Sequence, residues 1–105
     1  MEPNGQRHKI STQKAVFDKS LNMSVIQETD KIKQLEQSIK SDDEIIALRE
    51  RITGAKSSQL KNGVITSSEY IVELNAEMQA KINKELHVIQ LLKSRTKLNT
   101  LKGNL

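Results

Sequence analysis

Leu60-Lys61-Asn62-Gly63-Val64-Ile65-Thr66-Ser67-Ser68-Glu69-Tyr70 is the stretch that decides the fold. Asn62-Gly63 is the strongest turn pair in the chain. A glycine just past a helix takes the left-handed conformation without a side-chain clash, so Gly63 reads as the residue that follows a helix C-cap. Three residues on, Thr66-Ser67-Ser68-Glu69 spells a capping box. The Thr66 hydroxyl is placed to accept from the Glu69 backbone N–H, and the Glu69 carboxylate to accept from the Thr66 N–H. Ile65 and Tyr70 stand where a hydrophobic staple needs apolar residues. A helix stop and a helix start lie side by side, and the stretch is the corner of a helical hairpin.

Working outward, helix one is expected over about 8–61, the turn over 62–66 and helix two over about 67–101. The fold class is therefore all-α, a long antiparallel hairpin with coiled-coil packing. On the first arm, Leu21, Val25, Glu28, Ile32, Leu35, Ile39, Asp42 and Ile46 alternate spacings of four and three, which is a heptad seam. Ile10, Lys14 and Phe17 extend it upstream. Downstream the apolar phase slips by one, to Ile45, Leu48, Ile52 and Ala55, before Leu60, and such a slip changes the local winding. Glu28 and Asp42 at seam positions weaken the interface and are residues that fix register or face a polar lumen. Gly54 costs about 1 kcal/mol relative to Ala inside a helix and marks either a bend, close packing or a tolerated residue.

On the second arm, Ile71, Leu74, Met78, Ile82, Leu86, Ile89 and Leu92 form one stripe, widened by Val72, Val88, Leu91 and Leu98. Folding at the corner pairs residues whose numbers sum to about 128: Ile52 with Leu74, Ile46 with Ile82, Ile39 with Ile89, Leu35 with Leu92. The same arithmetic leaves 8–26 beyond the end of helix two. Ile10, Val16, Phe17, Leu21, Val25 and Ile26 are then expected to lack an intrachain partner, which points to a non-monomer. Residues 1–7, with the only proline and an Asn-Gly pair, read as a disordered start or the stub of a strand.

The totals agree with long helices and exclude several functions. In 105 residues, aromatics are 2% and hydrophobics 35%, too few for a layered α/β core. There is no cysteine, hence no disulfide, thiol nucleophile or thiolate metal site. No apolar run approaches the roughly 20 residues of a spanning helix, and the N-terminal stretch has no signal-peptide core. His8 and His87 fall on different arms, neither with a second ligand one turn away, so no metal is expected. Asp42-Asp43-Glu44 reads as an exposed acidic patch plus one seam residue. Ser67 and Ser68 have no base nearby. No catalytic residue, cofactor or phosphate loop is expected, and the chain reads as a non-enzyme.

Net charge is +4, distributed as +2 over residues 1–20, −3 over 21–80 and +5 over 81–105. Cations at the end of helix two complement the helix dipole. They are spread out, stacking aromatics are nearly absent and no nucleic-acid motif occurs, which argues against a nucleic-acid partner.

The tip and second arm, NGVITSSEYIVELNAEMQAKIN followed by a helix ending in LLKSRTKLNTLKGNL, resemble the TolC-type outer-membrane channel proteins of efflux and type I export systems. The resemblance covers about residues 45–105 by motif, and 7–44 only by length and heptad character. It implies a trimeric channel whose β-barrel sits in the outer membrane and whose helical tunnel crosses the periplasm. Hairpin tips in such channels meet a periplasmic adaptor that links them to an inner-membrane pump. This chain would be the C-terminal tunnel hairpin of a larger protein, with Pro3-Asn4-Gly5 as the stub of a barrel strand. The resemblance places Asn62, Gly63, Val64, Ile65 and Thr66 at the adaptor-docking tip and Glu69 near the entrance as a carboxylate. Ile65 stands where some relatives carry an arginine latch, so a charged latch is not implied, and Asn62 stands where some have an apolar residue. Capping alone is sufficient to account for Glu69. The alternative is a stand-alone oligomeric coiled-coil interaction module with no transport role, which the same caps and seam would serve.

Overall fold

The computed structural model describes residues 3–104, with side chains from residue 11. It holds two helices, α1 (Pro3–Lys61) and α2 (Ser67–Gly103), and among the described residues there is no strand. Helix one thus begins at Pro3 and takes in residues 3–7, where the sequence suggested disorder or a strand stub. Proline suits the first helical turn, since its ring presets φ and its missing N–H has no partner there anyway. Met1 and Glu2 lie outside the described residues. Helix two runs on to Gly103, a difference within ordinary end fraying. All described peptide bonds are trans, and among the described residues Gly63 alone has a positive φ, at 70°.

The chain divides into two compact units: Met1–Lys33 with Leu92–Leu105, and Gln34–Leu91. In the first unit, Leu21, Glu28, Ile32 and Ser94 are buried, and Val25, Leu98 and Leu101 partly so. Leu21 and Val25 are therefore covered within the chain, contrary to the expectation that they overhang it. The second helix reaches far enough to shield them. The strip from Ser11 to Ser20 is exposed throughout, including Val16 and Phe17, and Ile26 is also exposed. The side chains of His8 and Ile10 lie outside the described residues.

In the second unit, the partly or fully buried positions of α1 are Leu35, Ile39, Asp42, Ile46, Arg49, Thr53, Lys56 and Leu60, with Ser38, Ile52, Ser57 and Gln59 beside them. The heptad spacing of four and three continues unbroken, and the expected phase slip does not occur. Ile45 and Leu48 are instead exposed. Polar bonds to α2 hold the unslipped phase: the Thr53 hydroxyl donates to the Glu73 carbonyl at 3.5 Å, and Arg49 lies 3.8 Å from the Glu73 carboxylate. A Cβ added to Gly54 would meet nothing within 4 Å, so this glycine marks no close packing.

The α2 face in contact is the larger departure. Its covered positions are Glu73, Leu74, Ala76, Glu77, Ala80, Lys84, His87, Val88 and Leu91, of which Ala80 and Leu91 are the most buried. Ile71, Met78, Ile82, Leu86 and Ile89, expected to line the seam, are each 49–52% exposed. The register expected from the sequence holds, since Asp42 meets His87 and Asp43 meets Lys84. The rotation does not. Ile82 stands two residues from both Ala80 and Lys84, which is roughly 200° round a helix. The apolar stripe of α2 faces away from α1, because the inner positions are taken by side chains that bond to α1.

Candidate functional site

The tip is built entirely from local bonds. The Gly63 N–H donates to the Leu60 carbonyl at 3.1 Å and the Val64 N–H to the Gln59 carbonyl at 2.8 Å. This pair of bonds is a Schellman motif, with Gly63 in the left-handed conformation that the motif demands. Asn62 precedes it, its N–H donating to the Ser58 carbonyl at 3.1 Å. On the far side, the Glu69 N–H donates to the Thr66 hydroxyl at 3.2 Å and the Thr66 N–H to the Glu69 carboxylate at 3.4 Å. The capping box is thus reciprocal, and the Tyr70 N–H starts the helical ladder on the Thr66 carbonyl at 3.2 Å. Ile65 and Tyr70, the staple positions, are both partly buried.

A Schellman turn usually buries the residue at the Val64 position against the helix it ends. Here that helix offers polar Gln59, and Val64 is 70% exposed. Asn62, Gly63 and Thr66 are exposed with it. The tip is a turn capped on both sides, and its most exposed apolar side chain is the isopropyl group of Val64. Glu69 is exposed, and its carboxylate is engaged by the cap.

Beneath the tip, the inner face of the second unit carries a ladder of charges. The Lys81 ammonium bridges Glu77 at 3.0 Å and Glu50 at 3.6 Å, Lys84 meets Asp43 at 2.7 Å, and His87 Nδ1 meets Asp42 at 2.5 Å. The hydrogen bond from Lys81 holds the Glu77 carboxyl below its usual range, with the Thr53 hydroxyl as the second cause. Lys81 is raised in return by Glu77, and Lys84 by Asp43. Ala76 and Ala80 are too short to fill the space beside these pairs and leave an open cleft of about 260 Å³ rimmed by Asp42, Arg49 and Asn83. Sequence reasoning missed this ladder, although Glu77 and Lys84, seven residues apart on one face of α2, could have signalled it.

In the first unit, Glu28 is 5% exposed; one carboxylate oxygen faces Lys97 at 3.5 Å and the other has no partner. Asp43 pairs with Lys84, and Asp42 hydrogen-bonds the His87 ring, rather than the two forming a cation cluster. Among the described residues no group of three or more potential ligands converges, and no helix is long and apolar enough to cross a membrane. No family model, curated protein or solved structure matches this chain.

Proposed function

We propose that the chain is an α-helical tunnel hairpin of a TolC-type outer-membrane efflux or type I export channel. In this reading its tip docks a periplasmic adaptor that connects the channel to an inner-membrane pump, and the intact channel is a trimer. The hairpin stands in the periplasm and does no chemistry; it binds no cofactor or metal. The observation that carries the reading is the tip: a turn capped on both sides, presenting exposed Val64 between Gly63 and the Thr66 cap. A rigid apolar knob loses little entropy on binding and fits a groove between partner helices. Asn62 and Ile65 flank that knob, and Glu69 would place a carboxylate near the entrance while it caps α2.

The test has two stages. An immunoblot of fractionated source cells should find this hairpin in an outer-membrane protein several times larger than the chain; a soluble band of the chain's own size would refute the reading. Adaptor capture from those cells should then fall at least tenfold with Val64→Asp, which leaves the turn's bonds intact. Gly63→Val should weaken capture as well, by forcing a β-branched residue to positive φ. Equal capture by both folded variants would remove the tip from the docking surface.

A free-standing oligomeric coiled-coil module is the second reading, favoured by the outward apolar stripe of α2. It requires the soluble, short band in the same blot.

A further inference from the structure

Asn62-Gly63 carries a chemistry that the turn itself does not use. The side-chain carbonyl carbon of an asparagine can close a five-membered ring with the backbone nitrogen of the next residue, and a glycine there has no Cβ to block the approach. A Cβ placed on Gly63 would meet nothing within 4 Å, so no neighbouring group fills the space either. Asn62 is exposed, and among the described residues no hydrogen bond or ion pair engages its side-chain amide. We propose that Asn62 is a self-modification site, at which the Gly63 nitrogen attacks the side chain and converts it to aspartate and isoaspartate. The proposal does not rest on the channel reading.

The steps need only water and hydroxide. Hydroxide takes the proton from the Gly63 amide, and the nitrogen bonds to Asn62 Cγ. The Cγ–Nδ2 bond breaks, and Nδ2 leaves as ammonia with a proton from water, which restores the hydroxide. The product is a succinimide ring that water opens at either carbonyl. Breaking the bond from the Gly63 nitrogen to Cγ gives aspartate in an ordinary peptide. Breaking the bond to the backbone carbonyl carbon of residue 62 gives isoaspartate, with the chain running through Cβ. One water is consumed and one ammonia released.

The fold sets the rate through the attacking nitrogen. The Gly63 N–H donates to the Leu60 carbonyl at 3.1 Å and the Val64 N–H to the Gln59 carbonyl at 2.8 Å, so attack first requires the Schellman turn to open. One such bond slows an opening by about fivefold. The restraint is greater elsewhere. Asn22, Asn75, Asn83 and Asn99 lie inside the helices, where the ladder holds the next nitrogen from both sides. Each is followed by a residue with a side chain: Met23, Ala76, Lys84 and Thr100. Helix ends open more readily than helix interiors, which singles out Asn62. Residues 62–68 carry no charge, so conversion gives the corner its first. That charge stands at the C-terminal end of α1, where the helix dipole disfavours an anion. Isoaspartate also adds a methylene to the backbone before Gly63 and shifts the Gly63 and Val64 N–H groups out of register with their carbonyls.

The test ages the whole chain in warm, mildly alkaline buffer, folded and in urea. Tryptic peptides are then read by fragmentation that separates aspartate from isoaspartate; Asn4-Gly5 falls in a different peptide. In the folded chain both products should appear at residue 62, at least about tenfold faster than at the helical asparagines, and the rate should rise with hydroxide. Urea should speed conversion about fivefold or more by releasing the Gly63 N–H. Asn62→Gln, which would need a larger ring, should stay unconverted over the same period. Aspartate alone at residue 62 would mean direct hydrolysis without a ring and would overturn the proposal, as would no conversion or a rate equal to that of the helical asparagines. Equal rates with and without urea would overturn control by the Schellman turn.

Discussion

The two long faces of α2 in the second unit invert the usual arrangement. Toward α1 the helix turns Glu73, Glu77, Ala80, Lys84 and His87, and away from it Ile71, Met78, Ile82 and Ile89. An amphipathic helix in a globular domain buries its apolar side. This one commits its polar side to the partner helix in the same chain and keeps the apolar side half exposed. The inner face can do so because each charge there has a partner on α1 or one turn away, whereas an unpaired charge in that position would cost several kcal/mol. The outer face has no such self-sufficiency. Intrachain specificity and surface for further contacts have been assigned to opposite sides of one helix.

Substitutions at neighbouring positions separate the two faces most sharply. Leu91→Ala removes a buried side chain from the covered face and should lower unfolding stability by about 2–3 kcal/mol in denaturant titration. Ile89→Gln, two residues before it and outward, should stay within about 0.5 kcal/mol for the single chain. Equal effects would mean that the two faces do not differ. A smaller effect of opposite sign is expected at Glu28, whose second oxygen lies buried without a partner. Glu28→Leu should raise stability by about 1 kcal/mol, because Lys97 is exposed and stays solvated when released. The smallest effect is the titration of the ladder. Glu77 is lowered in the fold, so its contribution is complete above the usual glutamate range and is lost as pH falls through the lowered value. Lys81 is raised, and its share persists below the usual lysine range and disappears only as pH climbs through the raised value. The stability difference between the protein and Glu77→Gln should therefore be flat near neutrality and shrink in acid.

What the sequence revealed and what it concealed divide along the same line. The corner was legible because Gly63, Thr66 and Glu69 act on backbone groups within a few residues of themselves. The register was legible because a hairpin folded at a known corner has little choice of which residues come level. The rotation of α2 was not, since reading apolar positions as inner ones presumes that burial decides which side faces the partner. Here Arg49, Thr53, Asp42 and their partners on α2 decide it, and pairing between distant charges leaves no local signature. The same misreading put Ile45 and Leu48 in the seam and produced a phase slip that the polar positions do not follow. At the tip, nothing in Asn62–Thr66 announced that Val64 would lack its usual apolar neighbour. That follows from Gln59, a residue on the preceding turn.

The bonded corner also sets an order of events for the chain as it folds. The Thr53–Glu73 bond joins residues 20 apart, and the Asp42–His87 pair spans 45. Chain entropy lost in bringing two residues together grows with the length between them, and the shortest closures form fastest. With both helix ends capped within the corner itself, the turn fixes the direction of the returning arm before any long-range pair is made. Each rung then shortens the closure needed for the next, and the hairpin zips from its corner toward its open end.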